Sequence, residues 1–122
     1  MSSKEEKPAK SETHKVELVE VEDRFDTLIE SKGLVIVDWF AQWCGPCKRI
    51  APEIEKLAAA NKDVTFCKVD VDVLEDLAAT YDVTAMPTFM AFREGKKLGL
   101  CKGADLKQVE ALVKKHNVST DE

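Results

Sequence analysis

Cys44 and Cys47, held two residues apart in Trp43-Cys44-Gly45-Pro46-Cys47, are the residues of this chain best suited to do chemistry. Two thiols at that spacing can close a small disulfide ring and open it again, so the chemistry they suggest is reversible thiol–disulfide exchange. Zinc sites use the same spacing, but a structural zinc needs a second ligand pair. Cys67 and Cys101 stand alone, and His14 and His116 lie near opposite ends, so no metal set is expected. Only a thiolate attacks a disulfide, so one cysteine must ionise near neutral pH. The free N–H groups and dipole at the start of a helix favour that charge.

The flanking sequence supplies such a setting. Leu34 to Ala41 is a nearly continuous apolar run, which predicts a strand buried on both faces. After the cysteines, Ile50, Ile54, Leu57 and Ala58 repeat at helical spacing, which predicts a helix over Lys48 to Asn61 with a kink at Pro52. Cys44 therefore falls where a buried strand passes into a helix. Within the strand stands Asp38, a carboxylate among Val35, Ile36, Val37, Trp39 and Phe40. Buried and unpaired, its charge would cost several kcal/mol, so desolvation should raise its pKa. If the strand twists, the same residue points outward, and the pattern alone leaves both readings open.

The remaining elements follow the same logic. Lys15 to Val19 reads as a first strand, and Phe25, Leu28 and Ile29 give a helix face with Gly33 as its stop. Val64 to Val71 reads as a strand, and Leu74, Leu77, Ala78 and Tyr81 form another helical stripe. Thr88 to Phe92 and Lys96 to Cys101 read as a hairpin turned at Gly95. Asp105 caps a last helix with Leu106, Val109, Leu112 and Val113 on one face. Asp70 and Asp72 read as solvated turn acids at a strand end. The order β-α-β-α-β-α-β-β-α predicts an α/β fold with a mixed central sheet flanked by helices. Residues 1–14 are polar and charged and read as a disordered N-terminal extension. The domain is expected over 15–118, with 119–122 as a short C-terminal tail.

With Trp43 before the cysteine pair, Gly45-Pro46 inside it, Lys48 after it, Asp38 in the preceding strand and Met86-Pro87-Thr88-Phe89 downstream, the chain resembles the thioredoxin family. The likeness runs from about Val16 to about His116. It implies the thioredoxin fold and a general protein disulfide reductase, with Cys44 attacking, Cys47 resolving and Asp38 accepting a proton from Cys47 through water. It further implies that Lys68 sits near Asp38, that Pro87 is cis and faces the cysteines, and that Trp43, Met86 and Gly103 shape a substrate groove. Gly45 and Pro46 stiffen the dithiol. The resemblance implies no bound cofactor, with electrons arriving from NADPH through thioredoxin reductase, and disulfide-containing clients such as peroxiredoxin-type enzymes. Thioredoxin is itself the reference case for a thiol shifted to about 7 from about 8.5, so that figure belongs to the family. Such a shift lifts the thiolate fraction at pH 7 from roughly 3% to roughly half. The lower basicity returns a factor of about five in nucleophilicity, so the net gain in attack is a few-fold. The larger benefit is a better leaving group. Cys67 and Cys101 read as small core or surface hydrophobes. Some family members carry a regulatory or dimerising cysteine before the Met-Pro pair, where this chain has Ala85; a lesser reading gives that role to Cys101, near the expected groove.

Bulk properties bound the rest. A chain of 122 residues suits one domain with one core. The net charge of -5 argues against general nucleic-acid binding, which favours basic surfaces. No apolar run reaches the roughly 20 residues of a membrane helix. Met1 to Lys15 shows no signal-peptide core and carries Glu5, Glu6 and Glu12, so a cytoplasmic location is expected, and the thioredoxin resemblance implies a monomer. Two rival functions stand beside the reductase: a binding subunit gated by redox state, and a secretory-pathway oxidoreductase.

Overall fold

The computed structural model describes residues 15–117. The expected N-terminal extension and C-terminal tail lie outside the described residues, as does Val118. Nine elements follow in the expected order. They are β1 (Glu17–Val19), α1 (Glu22–Ile29), β2 (Val35–Phe40), α2 (Gly45–Ala60), β3 (Thr65–Asp70), α3 (Glu75–Thr80), β4 (Thr88–Arg93), β5 (Lys96–Lys102) and α4 (Leu106–His116). The sheet runs β1-β3-β2-β4-β5. Its first two pairings are parallel and its last two antiparallel, which gives the mixed sheet.

β2 is the central strand, and its alternation divides the molecule. Val35, Val37 and Trp39 project to one face, where they pack with Phe25 and Ile29 of α1 and Leu77 and Ala78 of α3. Ile36 projects to the other, against Ile50, Ile54 and Ala58 of α2 and Val109, Leu112 and Val113 of α4. Asp38 has the parity of Ile36, so it lies on the side covered by α2, the helix that follows the cysteine pair.

Two local readings change. Gly33 does not stop α1, which ends at Ile29 with Glu30 in right-handed helical geometry and a Ser31 N–H bond to the Leu28 carbonyl. A left-handed cap is unnecessary because the β4–β5 turn closes this end, with Gly95 N–H donating to the Ile29 carbonyl at 2.8 Å. Gly95 itself has φ +80°, a left-handed conformation that glycine adopts at no steric cost. Helix α2 begins at Gly45 and not Lys48, because proline in a first turn lacks only an N–H that would have no helical acceptor. It continues through Pro52, whose missing N–H leaves the Lys48 carbonyl without its usual donor.

Candidate active site

The early start of α2 places both cysteines at its amino end. Cys44 is the N-cap, with extended backbone (φ -86°, ψ 106°), and Cys47 lies in the first turn. The two are joined as a disulfide with Cα atoms 5.3 Å apart. Cys44 Sγ also accepts from the Cys47 backbone N–H at 3.1 Å, one of the donors a helix start leaves free. Both residues are buried, Cys44 at 3% and Cys47 at 6% exposure, against Ala41 and the half-buried Met86.

Asp38 is 7% exposed, which removes the outward reading of this residue. Its Oδ1 has no hydrogen-bond partner. Burial pushes the carboxyl up to about 7, and the charge of Lys68, its neighbour across the parallel ladder, pulls weakly the other way. Lys68 extends its ammonium over the Phe40 ring, 5.6 Å from the centroid. Asp38, Lys68, Gln42, Cys47, Lys48 and Ala51 line a cleft of about 150 Å³ together with Phe40 and Ala41. That volume holds a few waters at about 30 Å³ each. A carboxyl that titrates near neutrality and a cysteine thus line one small cleft with room for water.

A second segment, the turn that enters β4, meets the cysteine pair at Cys44. Met86–Pro87 is a cis peptide, and Cys44 Sγ lies 3.6 Å from the Met86 carbonyl oxygen. Thr88 Oγ1 donates to the Ala85 carbonyl at 2.6 Å, and Gly103 N–H donates to the Pro87 carbonyl at 2.8 Å. Gly103 has φ +98°, with nothing within 4 Å of where a Cβ would stand, so backbone conformation and not space selects glycine there. Trp43 is 68% exposed and donates from Nε1 to Asp72 Oδ2 at 2.9 Å.

The expected residues therefore converge, but the other two cysteines stay apart from them. Cys67 is buried in β3, and burial pushes its thiol up to about 12. Cys101 faces α4 and not the groove, beside Leu98, Gln108 and Leu112. Burial, with a smaller contribution from Asp105, pushes its thiol up to about 11. Among the described residues no group of three or more His, Cys, Asp or Glu is arranged to hold a metal ion. No helix among them is long and apolar enough to cross a membrane. Asp70 corrects its reading as a solvated acid: it is 5% exposed and bonded to Gln42 and to the Asp72 amide. The one available signal was its place ending an apolar strand, and Gln42 carried none.

Comparison with known proteins agrees with this geometry. The thioredoxin family model matches residues 15–117. Thioredoxin-1 of Schizosaccharomyces pombe is 42% identical over 99 residues, covering 81% of this chain and 96% of the relative. The X-ray structure of Fasciola hepatica thioredoxin superposes with a TM-score of 0.80 at 41% identity, covering 83% of this chain and 99% of that one. A chain from structural work on the thiol resolving mechanism in yeast mitochondrial 1-Cys peroxiredoxin via glutathione/thioredoxin systems gives a TM-score of 0.78 at 35% identity. It covers 84% of this chain and 98% of its own length.

Proposed function

Because this chain belongs to the thioredoxin family of disulfide oxidoreductases, we propose that it is a general protein disulfide reductase and electron carrier. The observation that carries the reading is Cys44 as N-cap of α2, its sulfur on the Cys47 amide, with Asp38 buried in the same cleft as Cys47. In the reduced protein the Cys44 thiolate attacks one sulfur of a client disulfide. A Cys44–client disulfide forms and the second client sulfur leaves as a thiolate, which takes a proton. Asp38, as carboxylate, then accepts the Cys47 proton through water, and the Cys47 thiolate attacks Cys44 Sγ. The Cys44–Cys47 disulfide closes and the client leaves fully reduced, having gained two electrons.

Trp43, Met86 and Gly103 form the groove for an extended client segment, an arrangement related to strand addition. Pro87 brings the Met86 carbonyl beside Cys44. Gly45 and Pro46 set the stiff entry of α2, and Lys68 moderates Asp38. Electrons return from NADPH through thioredoxin reductase, and peroxiredoxin-type enzymes are among the clients, in line with the peroxiredoxin context of one similar structure. The working form is a cytoplasmic monomer serving redox homeostasis. Reduction of insulin disulfides with NADPH and a thioredoxin reductase, run beside Cys44→Ser, tests the reading. Turnover abolished in the variant is the expected result; no turnover by the wild-type protein with both thiols free would overturn it.

A further inference from the structure

Asp70 ends β3 directly across the ladder from Phe40, at the carboxyl edge where β2 enters the active-site loop. Its carboxylate is 5% exposed, yet the exchange chemistry makes no use of it. Oδ2 accepts from Gln42 Nε2 at 3.3 Å, in the loop just before the cysteines. Oδ1 accepts from the Asp72 backbone N–H at 2.9 Å, in the turn after β3. Asp72 in turn receives the Trp43 indole N–H at 2.9 Å. Gln42 and Trp43 are adjacent in the chain, and so nearly are Asp70 and Asp72. The bonds therefore close a ring that ties the β2–α2 loop to the β3–α3 turn.

We propose that Asp70 is a positioning residue that holds Trp43 in place as a wall of the client groove. An indole 68% exposed has little packing to fix its rotamer, and its single N–H donor is its anchor. That anchor is Asp72, and the backbone of Asp72 is itself fixed by Asp70. A wall fixed before the client arrives spares the ordering cost that binding would otherwise carry. Asp70 therefore acts on client binding, through Trp43, and leaves the thiol chemistry alone. The proposal rests on the reductase reading above for the identity of the ligand.

The test compares Asp70→Ala and Asp70→Asn with the wild-type protein in insulin reduction with NADPH and thioredoxin reductase. Asp70→Ala should raise KM about three- to tenfold, the size expected for freeing one or two side chains, with kcat within about twofold. The pH titration of the Cys44 thiolate should not move. Asp70→Asn keeps an acceptor for the Asp72 amide, and a turned Gln42 amide can meet its NH₂, so KM should return to near the wild-type value. In a Trp43→Ala background the effect of Asp70→Ala on KM should vanish. Independently of activity, exchange of the Trp43 indole proton, followed by NMR on the oxidised protein, should quicken in Asp70→Ala. Unchanged KM and unchanged indole exchange in folded Asp70→Ala would overturn the proposal. So would a KM effect that persists in full without Trp43, or an Asp70→Asn variant as impaired as Asp70→Ala. Should Asp70→Ala not fold, Gln42→Ala removes one of the two bonds, and a smaller rise of KM with the same dependence on Trp43 is required. If wild-type protein fails to reduce insulin, the reductase reading falls, while the indole exchange still decides whether Asp70 braces Trp43.

Discussion

Asp38 sets the terms at the residue scale, because its burial works against the fold and for the chemistry. In the unfolded chain its carboxyl is ionised above about pH 4, whereas in the folded protein it holds its proton up to about 7. Between those values the folded state binds the extra proton, so rising pH removes stability and the loss levels off above about 7. The gap corresponds to on the order of 4 kcal/mol, at about 1.36 kcal/mol per pH unit. Asp38→Asn should therefore gain stability of that order at pH 8 and little at pH 4, which urea unfolding of both proteins across that range will measure. Parallel stability curves would show that the charge is relieved in some way the fold does not reveal. If Asp38 is the proton acceptor proposed above, the same substitution should slow resolution by Cys47 about 100-fold at pH 7 in single-turnover reduction. Cys47→Ser isolates the earlier step: clients should accumulate as mixed disulfides through Cys44, recoverable by affinity capture and released by dithiothreitol. Absence of such adducts would exclude Cys44 as the first nucleophile. The five apolar neighbours of Asp38 favoured burial but left the outward reading open, and the 7% exposure in the fold decides it. Which face it takes was not legible either, since a run apolar on both faces gives no phase.

At the scale of elements, the chain shows which signals survive folding. Apolar runs and helical stripes located all nine segments, because burial of those side chains is what makes each element stable. The ends were less legible. The helical stripe predicted a start at Lys48, yet Gly45 and Pro46 are the first two residues of α2, and this shift of three residues is what puts Cys47 inside the helix. Gly33 read as a stop, but a contact distant in sequence, Gly95 to Ile29, closes α1 instead. Asp70 was misread for the same reason: its partners Gln42 and Asp72 come together only when two strand ends become neighbours. Where a cap is local, the sequence was sufficient. Asp105 caps α4 by accepting the Lys107 N–H at 3.1 Å, with Gln108 Nε2 on its other oxygen. Asp105→Ala should cost about 1 kcal/mol in chemical denaturation. It should leave insulin reduction unchanged, since the start of α4 lines no part of the Asp38 cleft.

At the scale of the whole molecule, the sheet acts as a partition between a face that carries the site and a face that carries packing. The cysteine helix, the Asp38 cleft and the last helix share one side. On the other, Phe25 meets Trp39, Tyr81 and Phe92 with ring centroids 5.6, 5.5 and 5.8 Å apart. Phe25 is fully buried, and it reaches the cysteines only through the thickness of β2. Strand β2 is held on both sides by paired strands, so its backbone has little freedom to follow a cavity opened beneath it. Stability and catalysis should therefore separate across the sheet. Phe25→Ala should cost about 3–5 kcal/mol, through lost burial and the cavity left behind. The fraction that remains folded at 25 °C should reduce insulin with the wild-type kcat/KM per folded molecule, once denaturation has fixed that fraction. A fall in kcat/KM beyond the loss of folded protein would show that the aromatic cluster reaches through Trp39 to Asp38. The sheet would then transmit strain between its faces instead of separating them.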